Sequence, residues 1–378
     1  MNPEEQYPYE GSEPEQQGTR AHITRLSQQG YRLLREGRTS EAERCFHEIL
    51  DYDAWNHYAL VGLGDAARKQ GDCKHAVDHY KRCLEHHPDN NYALFGLADC
   101  YKSMRRYRQA ITVWEKYLHH DDENVTVLTR VADAHRKVRN FNRSKQLYDR
   151  VLTLEEDNAY ALIGLGHLYY DFKDYERALE YWYRMVDIKG GAVDIRVLTS
   201  IGNCYRKLGK FSTAVDYFSR TLKRDPDNFY ALFGLADCSR GLGDHASALS
   251  YWDRILSRDP QNKLVLTRAA DAYRALGQPQ RAEAYYRKAL DVEFDLYAVL
   301  GLALLSMDEG HYEKAAQSLE SILRSAAKNP RVWTTLAKCY LKLGRRAEAL
   351  SLLESYPRSG KGDTPVVRML QRLRGDRK

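Results

Sequence analysis

Residues that could hold a metal, carry a nucleophile or grip a phosphate occur in this chain of 378 residues, but not in working arrangements. His75 and His79 stand at i,i+4, the spacing of two ligands on one helical face, yet no third ligand follows at matching spacing, so two solvent-facing histidines are expected. Ser359-Gly360-Lys361-Gly362 lacks the preceding strand and the spacing of a phosphate loop, and no HExxH, GxSxG, Walker A or GxGxxG sequence occurs. The seven cysteines (Cys45, Cys73, Cys83, Cys100, Cys204, Cys238, Cys339) are odd in number, scattered and without a C-x2-C pair. They read as reduced, buried thiols. The expectation is a protein without catalysis, cofactor or metal.

A different set of residues does recur at fixed spacing. Asp65, Asp99, Asp133, Asp237 and Asp271 are each followed three residues later by a base: Arg68, Lys102, Arg136, Arg240 and Arg274. Tyrosines recur in the same rhythm at Tyr58, Tyr92, Tyr160, Tyr230 and Tyr297, and tyrosine as a whole is abundant, 28 residues against 9 Phe and 5 Trp. Acid–base pairs at i,i+3 can bond along a helix surface, and tyrosine offers a large contact area at small entropic cost. Such chemistry recognises surfaces rather than transforming substrates.

The elements that carry these residues follow from the period. Counting Ile23 as position 1, units begin at Ile23, His57, Asn91, Val125, Ala159, Ile195, Phe229, Lys263, Leu296 and Pro330, almost every step being 34 residues. Position 8 is Gly or Ala throughout, position 20 is Ala except at Ser144, position 4 is mostly Leu, and position 24 is aromatic from Phe46 to Tyr286. Positions 4, 7, 8 and 11 share one helical face, as do 20, 24 and 27, so each unit reads as two amphipathic helices. Gly at position 15, as in Gly71, Gly209 and Gly277, ends the first helix. The small residues at 8 and 20 allow the two helices to approach closely.

This column set resembles the tetratricopeptide repeat, with ten units over residues 23–363, the last incomplete. The resemblance implies an all-α fold, a right-handed α-solenoid superhelix of antiparallel helix pairs, stable because stacked units bury a continuous core. Residues 1–22, rich in Glu, Gln, Pro and Gly, are expected to be a disordered acidic tail. Residues 364–378 are expected to form a capping helix, with Val366, Val367, Leu370 and Leu373 on its inner face, followed by a basic tail. Gly190-Gly191 falls in a two-residue insertion, and a hinge is expected near 189–194.

In the family, positions 2, 5, 6, 9, 12 and 13 line a concave groove. Carried over, they give the five tyrosines and the Asp–base pairs above, with Phe95 and Phe233 at position 5, Arg130 and Arg268 at position 6, and His167 and Asn203 in place of Asp at position 9. Two readings of the charges stand together: a structural ladder, in which Arg at position 6 bridges to Asp of the neighbouring unit, and a binding surface for an extended peptide or protein partner. YALFGLADC occurs at both Tyr92–Cys100 and Tyr230–Cys238, 138 residues apart, so units 3–4 recur as units 7–8. That repetition follows from recent duplication or suits a ligand with two similar segments, and self-association is compatible with it. Acidic-tail chaperone adaptors of the family use Lys and Asn at positions 5 and 9, a set missing here.

The expected function is a non-catalytic scaffold that binds protein partners in the groove, with a regulatory or targeting subunit of an enzyme or transporter as the alternative. Net charge is +6, of which residues 1–22 carry −4 and 357–378 carry +5; the nearly neutral array disfavours nucleic acid. No stretch approaches the roughly 20 apolar residues of a membrane helix. The N-terminal sequence has neither a basic start nor an apolar run, and a cytoplasmic location is expected.

Overall fold

The computed structural model describes residues 13–356 and 364–375. They form helix pairs and fall into two compact units divided between Ala192 and Val193. The first holds α1 (Glu13–Arg35) and α2 (Thr39–Tyr52), α3 (His57–Lys69) and α4 (Cys73–His86), α5 (Asn91–Ser103) and α6 (Tyr107–His120), α7 (Val125–Lys137) and α8 (Phe141–Leu154), α9 (Ala159–Asp171) and α10 (Tyr175–Lys189). The second holds α11 (Ile195–Lys207) and α12 (Phe211–Arg224), α13 (Phe229–Gly241) and α14 (His245–Leu256), α15 (Lys263–Ala275) and α16 (Pro279–Val292), α17 (Leu296–Asp308) and α18 (Tyr312–Ile322), α19 (Pro330–Lys342) and α20 (Arg346–Glu354), and a last helix, α21 (Pro365–Gly375). Within each unit every helix packs on the next in sequence, and most successive first helices also touch, α1 with α3, α3 with α5, α7 with α9, α11 with α13, α15 with α17 and α17 with α19, as in an α-solenoid.

Local chemistry sets these boundaries. The residue before most first helices is Asn, at 56, 90, 124, 158, 228, 262 and 329, and its side-chain oxygen accepts a backbone N–H of the opening turn. Each such cap contributes about 1 kcal/mol. The first helix ends two residues before a left-handed residue at position 15: Gly37, Gly71, Gly209, Gly243, Gly277, Gly310 and Gly344, but Arg105, Arg139 and Lys173 in three units of the first half, with φ of 58°, 64° and 67°. The turn geometry is therefore imposed by the repeat, and a side chain is tolerated there at a cost.

In eight repeats, from Phe46 to Tyr286, the residue at position 24 is an aromatic ring packed into the core. A Cβ on Gly30 would stand 2.6 Å from the Phe46 ring, and one on Gly62 in the next unit would stand 2.4 Å from the same ring. Tyr80 is held in the same way between Gly64 and Gly96, and Phe218 between Gly202 and Gly234. Phe46, Tyr80, Trp114, Trp182, Phe218, Trp252 and Tyr286 are all fully buried. Each contributes about 2–3 kcal/mol of apolar burial, and glycine or alanine opposite it makes room.

The ends differ from the sequence expectation on one side. Helix α1 begins at Glu13, ten residues before Ile23, so residues 13–22 are helical rather than disordered. Pro14 suits a helix start, and His22 secures the segment to α2 through Glu48 (3.0 Å) and the edge of Tyr52 (5.5 Å). Residues 1–12, the segment 357–363 with its Ser-Gly-Lys-Gly, and the final basic residues 376–378 lie outside the described residues. At the other end α21 buries Val366, Leu370 and Leu373 against Trp333, Ala337, Ala349 and Leu353, with Val367 half-buried beside them. The inserted Gly190–Ala192 forms a single 3-10 turn with Gly190 at φ 52°.

Arg105→Gly and Lys173→Gly should each raise stability by about 0.5–1 kcal/mol in urea unfolding, because both side chains are exposed and unpaired while the left-handed backbone penalises any Cβ. Gly96→Ala should lower stability by about 1–3 kcal/mol, since the new methyl would fall 2.3 Å from the Tyr80 ring; unchanged melting would contradict the clamped-ring account.

Candidate functional site

The Asp–base ladder forms on the first helices, but not as a set of independent i,i+3 pairs. Asp65 accepts hydrogen bonds from Arg68 (3.0 Å) and from the Tyr80 hydroxyl (2.8 Å), while Arg68 also reaches Asp99 at 3.8 Å. Asp99 is bonded by Arg130 of the next unit at 2.6 Å, and that guanidinium lies 4.9 Å above the Phe95 ring. Arg136 bridges Asp133 (2.6 Å) and Asp171 of α9. In the second half, Asp237 is 6% exposed and takes Arg206 of α11 at 2.9 Å and Arg240 at 3.2 Å. Carboxylates and guanidiniums thus tie neighbouring repeats together, and the Arg130–Asp99 bridge is the inter-repeat contact expected of position 6.

Some members depart from the sequence expectation. Lys102 makes no ion pair among the described residues, because Asp99 is already taken by two arginines. Arg274 pairs with Asp308 at 3.1 Å rather than with Asp271, whose carboxylate instead accepts the Tyr286 hydroxyl at 2.6 Å. Arg268, the counterpart of Arg130, has no partner among the described residues, since Asp237 is occupied by Arg206 and Arg240. Asn203 serves as an acceptor for Arg206 at 3.1 Å. His167 is half-buried with its ring 5.3 Å from Trp182; burial first, and then Arg136, push its pKa down to about 4. Phe233 stacks on Phe229 at 5.9 Å, and Phe95 meets Tyr117 edge-on at 6.5 Å. Sequence columns did not single out Arg206 or the hydroxyls of Tyr80 and Tyr286; an Asp at position 9 combined with Tyr at position 24 is the signal for the two hydroxyls, and it also selects Asp133 with Tyr148, where Arg136 takes the carboxylate instead.

The position 2 tyrosines carry the opposite character. Tyr58, Tyr92, Tyr160, Tyr230 and Tyr297 are 54%, 79%, 78%, 68% and 57% exposed. Recesses open beside some of them. One of about 480 Å³ is lined by Tyr31, Tyr58, Asp65 and Tyr92, and a second of about 430 Å³ by Arg68, Tyr92, Phe95 and Tyr117. In the second half a recess of about 250 Å³ gathers Arg268, Asp271, Tyr297 and Arg331. Tyr160, Tyr230, Phe233, Asp237 and Arg240 lie on the same column positions but line none of these three. No group of metal ligands occurs among the described residues, and His75 pairs with Asp72 while His79 is half-buried.

Comparison with known proteins places this geometry in context. Two sequence profiles, both described as tetratricopeptide repeat, match the chain: one at residues 67–129, 239–302 and 306–373, the other at 27–82, 129–192 and 200–263. No curated protein sequence matches. Among solved structures, PilW, described as a widely conserved type IV pilus biogenesis factor, is 18% identical with TM-score 0.51, covering 56% of this chain and 98% of its own. Pseudomonas aeruginosa PilF is 18% identical (TM-score 0.48, 57% and 96% covered), and a tetratricopeptide repeat protein from Parabacteroides merdae is 17% identical (TM-score 0.44, 76% and 99% covered).

A depressed histidine pKa means that the unfolded chain takes up the proton first as pH falls. Stability should therefore be lost between the unfolded value near 6.5 and the folded value of about 4, by about 2 kcal/mol on going from pH 7.5 to 5. His167→Asn, which copies Asn203 of the next unit, should flatten that part of the profile in urea midpoints measured across the range.

Proposed function

The chain belongs to the tetratricopeptide repeat family, and from that premise we propose that it is a non-catalytic scaffold that binds protein or extended-peptide partners on the first-helix faces. The observation that carries this reading is the contrast within one surface. Most of its charges are already bonded to one another, whereas its tyrosines stand exposed on helices fixed by caps and buried rings. Aromatic area on a rigid support is what a partner can bury with little ordering cost. The proposed contact residues are the exposed Tyr58, Tyr92, Tyr160, Tyr230 and Tyr297, with Phe95 and the unpaired Lys102 and Arg268 beside them; the paired Asp and Arg residues set the geometry of the repeats.

A cytoplasmic location is part of the proposal, supported by seven unpaired cysteines. No described helix is long and apolar enough to cross a membrane.

Affinity purification with the wild-type chain and with a Tyr92→Ser, Tyr160→Ser, Tyr230→Ser variant tests the proposal. These side chains are exposed, so the circular dichroism spectrum should not change, while groove-bound proteins should fall by about tenfold or more, the loss expected when aromatic anchors are removed. An unchanged set of recovered proteins would refute the groove as the binding face.

A further inference from the structure

The carboxylate column of the first helices ends on a cation. Position 9, which is Asp in five units, is Lys338 in the last one, and neither α19 nor α21 contains an Asp or a Glu. Helix α21 packs on α19 and α20, as the first helix of a further repeat would, and a recess of about 490 Å³ opens between α19 and α21. Thr334, Lys338, Arg368, Met369, Arg372 and Leu373 line it, with no carboxylate among its lining residues. Lys338 and Arg372 are exposed and make no ion pair among the described residues. The two carboxylates of α20 are already taken, Glu354 by Arg374 at 2.7 Å and Glu348 by Arg345 at 3.7 Å. Cations therefore stand over the apolar surface of Met369 and Leu373, in contrast with the mutually bonded charges of the ladder.

A complementary segment occurs at the other end of the sequence. Residues 1–12, MNPEEQYPYEGS, precede α1 and lie outside the described residues. They hold Glu4, Glu5 and Glu10, no Lys or Arg, and Tyr7 and Tyr9 between the acids. We infer that the recess between α19 and α21 is an interaction surface for this segment of a second copy of the chain. The glutamates answer Lys338, Arg368 and Arg372, and the tyrosine rings cover Met369 and Leu373, so charge and apolar area are matched by one stretch of peptide. A bare phosphate would meet the cations and leave the apolar floor wet. A neutral peptide would bury the floor and leave the cations unanswered. Each copy carries both halves of the contact, one before its first helix and one at its last, so the association is head to tail.

The test uses the full chain, one portion of it isotopically heavy, mixed with unlabelled chain and treated with a water-soluble carbodiimide, which joins a carboxylate to an amine without a spacer. A cross-link between the 1–12 segment and Lys338 should be found in mixed-isotope form and be lost in Lys338→Gln. Sedimentation should show a mass that rises with concentration and falls toward the monomer between about 0.05 M and 0.5 M salt, a change that shortens the reach of exposed charges about threefold. Lys338→Gln with Arg372→Gln, and separately Glu4→Gln with Glu5→Gln and Glu10→Gln, should each weaken the association by about tenfold or more. Both cations are exposed, so the circular dichroism spectrum should not change. A monomer at every concentration, cross-links confined to single-isotope pairs, or an association that survives either set of substitutions would overturn the inference.

Discussion

A buried ring at position 24, present in eight of the repeats, decides how closely neighbouring helices approach and what can stand on the surface above. Where that ring is Phe46, Tyr80, Tyr148, Phe218 or Tyr286, its tip reaches the first helix of the next repeat, and position 6 there is Gly62, Gly96, Gly164, Gly234 or Gly301. Each of these glycines would place a Cβ within 2.2–2.4 Å of ring carbon. Where the ring is Trp114 or Trp252, position 6 of the next repeat is Arg130 or Arg268. Close packing at one site thus dictates residue type at a second site on the exposed face, because a protein interior leaves no slack for an added methyl. The tryptophans carry a cost of their own, since the indole N–H groups of Trp114, Trp182 and Trp252 are buried without a partner.

The same rings organise the charges. In two units the tyrosine at position 24 donates its hydroxyl to the Asp at position 9, Tyr80 to Asp65 and Tyr286 to Asp271, whereas beside Tyr148 the carboxylate of Asp133 is held by Arg136. A tryptophan does not supply that bond, and after Trp114 it is the arginine at position 6 that fills the role, through Arg130 on Asp99. The duplicated blocks therefore share a sequence but not a state. Arg68 only grazes Asp99, leaving room for Arg130, whereas Arg206 bonds Asp237 closely and Arg268, beside Tyr297 and Arg331, has no ion-pair partner among the described residues. Identical nine-residue segments present different electrostatics because their upstream neighbours differ.

That dependence explains what was legible in the sequence and what was not. The period, the starts of the first helices from His57 onward, the buried Leu, Ala and aromatic columns and the exposure of the position 2 tyrosines each follow from a residue's place on its own helix, and a single repeat shows them. Pairings across repeats do not. The idle Lys102, the turn of Arg274 toward Asp308 and the hold of Arg206 on Asp237 each depend on a second residue some 30 positions away whose reach no column reports. The left-handed Arg105, Arg139 and Lys173 were hidden for a related reason: the closure of the helix pair imposes the turn even where glycine is missing. The polar composition of residues 13–22 hides the start of α1, because the anchor that holds the segment, His22 on Glu48 and Tyr52, is tertiary.

A surface whose charges are mutually satisfied selects partners differently from an open basic or acidic groove. An incoming charged group would have to displace an intramolecular bond such as Arg136 to Asp133 or Arg206 to Asp237, and most of the gain would be cancelled by the pair left broken. Aromatic contact carries no such exchange, because the exposed tyrosines lose only water when covered. Recognition should then rest on apolar and stacking contacts placed at repeat intervals. Lys102 and Arg268, which make no ion pair among the described residues, occur where the nearby position 9 carboxylate is already engaged. Packing of the interior ring, by choosing which arginines are bound and which are free, reaches through the ionic network to the chemistry of the face.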